Sequence, residues 1–127
     1  MSREVISTKD APKAIGTYSQ AVRVNKTVYL SGQIPLDPIS MEIIDGDIDR
    51  QICQVFDNLK AVVKAANGEL HNIVKINIYL IDLDNFEKIN SVMERYFQKP
   101  YPARAVVQVN RLPKDSTIEL DAIMELE

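Results

Sequence analysis

A chain of 127 residues, 46% hydrophobic and 26% charged, has the length of one ~100–150-residue domain, 1–127, and a composition that forms a core without staples. One cysteine, Cys53, and one histidine, His71, exclude an internal disulfide, multi-cysteine zinc or iron–sulfur sites and two-histidine metal motifs. A formal net charge of −3 gives no broad footprint for nucleic acid or anionic lipid.

The polar start, MSREVISTKDAPK, lacks an apolar signal core, and no stretch reaches ~18 uninterrupted apolar residues, so the cytoplasm is the expected location and no membrane the expected partner. Residues 5–7 read as a short strand leading into a polar loop with Pro12 and Gly16. Residues 27–31 (TVYLS) are β-branched and aromatic, a strand that Gly32 is expected to end. Pro35 and Pro38 make the next segment a poor central strand.

The clearest element is a helix over 47–66. Ile48, Ile52, Val55, Phe56, Leu59, Val62, Val63 and Ala66 recur every three or four residues, with Asp47 placed to cap the start and Asn67-Gly68 to stop the end. Residues 73–81 predict a strand with Val74, Ile76, Ile78 and Leu80 on its apolar face; Lys75, Asn77 and Tyr79 share the other with Ile73 and Ile81. A second helix opens on a capping-box-like pair, Asp84 and Glu87, carries the stripe Phe86, Ile89, Met93 and Phe97, and closes at Pro100. Strands over 103–110 and 117–126 finish the chain. The order β-α-β-α-β-β, after the short leading strand, makes an α+β sandwich whose two helices cover one face of the sheet. The uncovered face still bears Ile73, Tyr79, Ile81 and Ile123, which points to a subunit interface.

Arg104 stands out on its strand. Ala103, Ala105, Val107 and Val109 are core-like, so Arg104 is expected on the opposite face with Val106 and Gln108, able to fork a carboxylate or phosphate or simply to form an ion pair. Glu119, a lone acid between Thr117 and Asp121, is either a solvated strand residue or, if burial raises its pKa, a group that activates water. Ser31 and Gly32 end a strand where a missing side chain lets backbone approach a ligand, or make a plain turn; Tyr18 presents a hydroxyl and a ring, or packs. Cys53 has no partner histidine nearby in sequence, and His71 reads as a solvent-facing loop residue. No nucleophile elbow, Walker or dinucleotide-binding glycine pattern is present.

Three segments, APKAIGTYSQA (11–21), VYLSGQIP (28–35) and YPARAVVQVNRLPKD (101–115) followed by Ile118-Glu119, resemble in order and spacing the RidA/YjgF family of reactive-intermediate deaminases. The resemblance covers nearly the whole chain. It implies a chorismate-mutase-like α+β fold, a homotrimer with clefts between neighbouring subunits, and cofactor-free, metal-free hydrolysis of 2-imino acids to 2-oxo acids and ammonia. Those imino acids are tautomers of the enamines that pyridoxal-phosphate dehydratases release from serine and threonine. Carried over by position, Arg104 binds the substrate carboxylate, Glu119 is linked to the catalytic water, and Tyr18, Ser31 and Gly32 line the cleft.

One position departs from the pattern. Many members carry cysteine two residues after the arginine; here it is Val106, expected to line the pocket about 7 Å from Arg104 at ~3.3 Å per residue. The family's topology further implies that Ser31 lies beside Glu119. It also implies that Arg104 sits at the opposite end of its own sheet and meets the Tyr18, Ser31 and Glu119 of a neighbouring copy. The rival readings are a non-catalytic sensor of small carboxylic acids using the same cleft, and an RNA-directed ribonuclease or translation inhibitor, against which the acidic balance counts.

Overall fold

The computed structural model describes residues 2–127. Six strands, β1 (Arg3–Ile6), β2 (Ala21–Val24), β3 (Thr27–Gln33), β4 (Ile73–Leu80), β5 (Ala103–Gln108) and β6 (Ile118–Glu125), form one mixed sheet in the order β1-β2-β3-β6-β4-β5. β6 runs antiparallel to β3 and β4, between which it lies, while β4 and β5 are parallel. Helices α1 (Ile48–Ala65) and α2 (Phe86–Tyr96) lie on one face of this sheet. The architecture is the α+β sandwich that the hydrophobic patterning predicts.

Helix α1 begins and ends as its sequence dictates. Asp47 Oδ1 accepts the Arg50 amide at 2.9 Å, Asp49 sits in the first turn and Lys64 in the last. At the other end Asn67, at φ +65°, reverses the chain, and the amides of Asn67 and Gly68 donate to the Lys64 and Val63 carbonyls. Ile52, Val55, Phe56, Leu59, Val62 and Val63 are buried against Val28, Ile76, Ile78, Leu120 and Met124 of the sheet.

Several local expectations are corrected. Strand β2 has no counterpart among the elements the sequence predicts: its four residues are too short for a periodic signal, and pairing with β3 through the Asn25-Lys26 turn defines it. Gly32 lies within β3, next to a register irregularity between Leu30 and Gln33, and does not end the strand. A similar irregularity between Ile73 and Lys75 turns Ile73 into the core and leaves Val74 about half exposed. Helix α2 begins at Phe86; Asp82, not Asp84, supplies a capping oxygen, to the Asp84 amide of the preceding short turn Leu83–Asn85.

The largest correction concerns β5. Its register sets Arg104 beside Ile76 and Val106 beside Ile78, so both side chains point toward the helices. Ala103, Ala105 and Val107 are the exposed ones, on the open face. They look core-like in sequence because they are apolar, but on this edge strand no element of the described chain covers them.

Candidate active site

Where β3 finishes and β6 begins, the loop over 8–20 and the turn Pro113–Asp115 enclose a cleft of about 420 Å³. Tyr18, Ser31, Gly32 and Glu119 all line it. Ile15, Ile34, Leu36 and Met41 give it an apolar wall, and Lys13 and Lys114 also line it.

The loop is held from below by Gln20, a residue that carries no distinguishing signal in the sequence. Its side chain is 4% exposed; Oε1 accepts the Thr8 amide at 2.7 Å, and Nε2 donates to the carbonyls of Pro12 at 2.8 Å and Thr8 at 3.1 Å. A buried polar side chain needs such partners, and these tie three points of the loop together. Ser31 fastens the same loop to β3: its hydroxyl donates to the Ser19 carbonyl and its amide to that of Gln20. Gly16, at φ +144°, takes a backbone conformation in the loop before Tyr18 that other residues rarely adopt.

Gly32 has a different use from the one its sequence context suggests. A Cβ on it would come within 3.0 Å of Glu119 Cδ and Oε2, so the vacant side-chain position is occupied by the Glu119 carboxyl. Glu119 receives no hydrogen bond from the described residues, and burial, with the nearby Asp121 charge second, raises its pKa above the ordinary glutamate value. A carboxylate so placed holds a proton more firmly than an exposed one, as a general base acting near neutrality must.

Arg104 is elsewhere. From Ile76, its neighbour on β4, the register continues to Ala122 on β6, three residues from Glu119. Glu119 instead pairs with Tyr79 and points to the open face. Two strands across and three residues along, the backbone positions are roughly 14 Å apart, and their side chains leave the sheet in opposite directions. Arg104 lines its own hollow of about 450 Å³, with Tyr101, Pro102 and residues of α2. Nη1 donates to Asn90 Oδ1 at 2.7 Å and lies 3.6 Å from Met93 Sδ, and the guanidinium carbon sits 5.2 Å over the centre of the Phe86 ring. Glu87 and Glu94 line the same hollow without coming within ion-pairing distance of the guanidinium. Asn90, which accepts from Arg104, donates in turn to Glu87 Oε2 at 3.4 Å. The arginine ion pairs among the described residues are Arg95–Asp49 and Arg111–Asp115. Asn90 was missed in the sequence, although its place four residues after Phe86 and three before Met93, a polar break in an apolar stripe, is a readable signal.

Val106 points to the same side as Arg104 but packs against the hydrophobic core and is absent from the lining of the Arg104 hollow. His71 is an exposed loop residue bonded to Glu127 at 3.2 Å, and Cys53 is unpaired. Among the described residues no cluster of His, Cys, Asp and Glu is arranged to hold a metal, and no helix is long and apolar enough to cross a membrane.

Comparison with known proteins shows the family and the fold of the chain. The model of the Endoribonuclease L-PSP family matches residues 8–126. A RutC family protein of Pyrococcus abyssi is 48% identical over 97% of both chains, and a 2-iminobutanoate/2-iminopropanoate deaminase of Dermatophagoides farinae is 44% identical over 98% of both. The crystal structure of RidA from the Antarctic bacterium Psychrobacter sp. PAMC 21119 superposes with a TM-score of 0.93 at 47% identity, covering 97% of this chain and 99% of that one. The chain belongs to the RidA/YjgF family, the group whose model is named Endoribonuclease L-PSP.

Proposed function

We propose that this protein is a cytoplasmic hydrolytic deaminase of 2-imino and enamine acids, 2-iminobutanoate and 2-iminopropanoate among them. It works as a homotrimer of chorismate-mutase-like subunits in which each site combines Arg104 of one copy with Tyr18, Ser31, Gly32 and Glu119 of the next. One observation carries the reading: a partly buried guanidinium that forms no ion pair at one end of the sheet, and a half-buried carboxyl without a donor at the other, both among the described residues. A cyclic trimer juxtaposes unlike ends of neighbouring copies, and the apolar open-face residues Tyr29, Val107 and Ala105 supply surface for it to cover. Relatives named as deaminases, 44% identical over almost their whole length, support the chemistry.

In the reaction, Arg104 anchors the substrate carboxylate through paired hydrogen bonds. Water adds to C2 of the iminium ion and gives its proton to Glu119, forming a carbinolamine. Glu119 returns that proton to the nitrogen. As the carbon–nitrogen bond breaks, the hydroxyl oxygen closes to the 2-oxo group, and the proton it sheds passes through Glu119 to the departing ammonia. Iminium ion and water become 2-oxo acid and ammonium, and every step uses side chains, substrate and water.

Val106, at the position where many members carry cysteine, favours a second reading, a 2-oxo acid sensor without turnover. The test generates 2-aminoacrylate or 2-aminocrotonate in place with a dehydratase acting on serine or threonine and follows 2-oxo acid release. Acceleration by the wild type that falls at least ~100-fold in Arg104→Ala establishes the deaminase. Binding of 2-oxobutanoate through Arg104 with no acceleration establishes the sensor.

A further inference from the structure

A second carboxylate stands beside Glu119 that the reaction above does not use. Asp121 follows it by two residues on β6, so both side chains leave the same face, about 7 Å apart along the strand. On β4 the register sets Tyr79 beside Glu119 and Asn77 beside Asp121. The donors nevertheless converge on Asp121: Asn77 Nδ2 reaches Oδ1 at 2.8 Å, and the Tyr79 hydroxyl passes over its own register partner to reach Oδ2 at 3.0 Å. Both oxygens of Asp121 are held, while Glu119 accepts nothing from the described residues.

We propose that Asp121 is a positioning residue for the proton chemistry of Glu119: a fixed negative charge, anchored by Asn77 and Tyr79, that sets where on the pH scale Glu119 exchanges its proton. The inference rests on Glu119 being the base of the proposed reaction. The two donors fix both oxygens of Asp121 in place on the face that Glu119 shares. With Asp121 charged, Glu119 bears the repulsion, and Asp121 is indeed the second cause, after burial, of its raised proton affinity. Two neighbouring acids thereby take different parts, one anchored by two donors and the other left to exchange its proton.

Other charged or titratable groups face the pair. Lys13, Tyr18 and Lys114 line the cleft with Glu119; Lys75, one register pair from Asn77, and Tyr29, beside Ile123, flank Asp121. In the proposed trimer, Arg104 of a neighbouring copy joins them. All of these remain in Asp121→Asn, which therefore changes one charge and little of the shape.

The experiment is a carbon NMR titration of the Glu119 carboxyl, assigned by its loss in Glu119→Gln, in the wild type, Asp121→Asn and Tyr79→Phe. The pH profile of kcat/KM with 2-aminocrotonate is recorded beside it. Removing the Asp121 charge moves the Glu119 midpoint to lower pH, and Tyr79→Phe, which loosens the anchor but keeps the charge, moves it the same way by less. The acid limb of the rate shifts with it. One pH unit below the wild-type midpoint, Asp121→Asn keeps a two- to threefold larger share of its own plateau rate than the wild type does, as a limb displaced by about half a pH unit gives. A merely structural Asp121 would lower the plateau and leave both midpoints in place, and that result in either variant overturns the proposal. If the protein binds without turnover, the NMR midpoint still decides the role of Asp121, so the failure of this inference and that of the deaminase reading are distinguishable.

Discussion

Where β3 finishes and β6 begins, one chain builds its part of a site from several directions. Gln20 ties down the loop over Tyr18, Ser31 pins that loop to β3, and Gly32 makes the space in which the Glu119 carboxyl lies. At the far end of the sheet, Arg104 extends from an edge strand with Asn90, Phe86 and Met93 around it, and with Glu87 and Glu94 in the same hollow but no ion pair to either. The contrast is between a pre-built acidic cleft and a half-buried cation that forms no ion pair among the described residues, and in the proposed trimer these are the complementary halves of one site. Arg104 is held like a binding group, by a hydrogen bond and a ring face that orient the guanidinium without neutralising it.

Mixing two inactive variants breaks or sharpens that comparison with the largest effect. Arg104→Ala lacks the cation and Glu119→Gln lacks the base, and each alone is expected to be nearly inactive. If the halves belong to different copies, a one-to-one mixture reassembled from separated chains contains sites with an intact arginine from one variant and an intact acid from the other. Random assortment in a cyclic assembly gives this combination at about one site in four, so about a quarter of the wild-type rate returns. A mixture as inactive as its components places both groups in a single copy's site and removes the shared-site reading.

Ser31 and Glu119 could be brought together from sequence because their positions depend on strand order and direction, which the family resemblance of the motifs implies. Helix α1 was legible down to its caps, since Asp47 and Asn67 act on backbone groups within a few residues of themselves. The face to which Arg104 points was not. Alternation in β5 distinguishes two sides without saying which one meets the helices, and only the pairing of Arg104 with Ile76 decides it. Asp121 was hidden for a related reason: its partners Asn77 and Tyr79 are more than forty residues away and meet it through the β4–β6 register. Gln20 gave no signal because what buries it is a loop, whose path no periodicity encodes.

A smaller effect separates geometry from folding within the acidic half. Gly32 has no left-handed backbone requirement, so Gly32→Ala meets only the Glu119 side chain, 3.0 Å from the new Cβ. A flexible side chain yields more easily than backbone, and the carboxyl is displaced by a few tenths of an ångström or more. Thermal unfolding is expected within a few degrees of the wild type, while kcat falls about tenfold, a fraction of the ~100-fold that a 1 Å misplacement costs. An equal loss in Gly32→Ala and in a Gly32→Ser/Glu119→Asp double variant would show that the distance between these two groups does not matter.

The smallest effect expected is at Val106, where the family pattern and the packing make different claims. If the thiol found there in many members took part in hydrolysis, Val106→Cys would raise kcat/KM tenfold or more. The structure puts Val106 beside Ile78 and against the core, on the same side of β5 as Arg104 but outside the lining of the hollow that Arg104 shares with α2. Cysteine behaves there as a small hydrophobe of nearly valine's volume, and such exchanges usually cost less than ~1.5 kcal/mol. Activity within about twofold of the wild type is therefore the expected outcome, measured with 2-aminocrotonate in the presence of a reductant. The proposed mechanism leads to the same figure from the chemical side: water is the nucleophile, Glu119 takes its proton, and no step has a place for a sulfur atom. A tenfold gain would mean that the wall around Arg104 is rebuilt when copies assemble, bringing position 106 to the substrate.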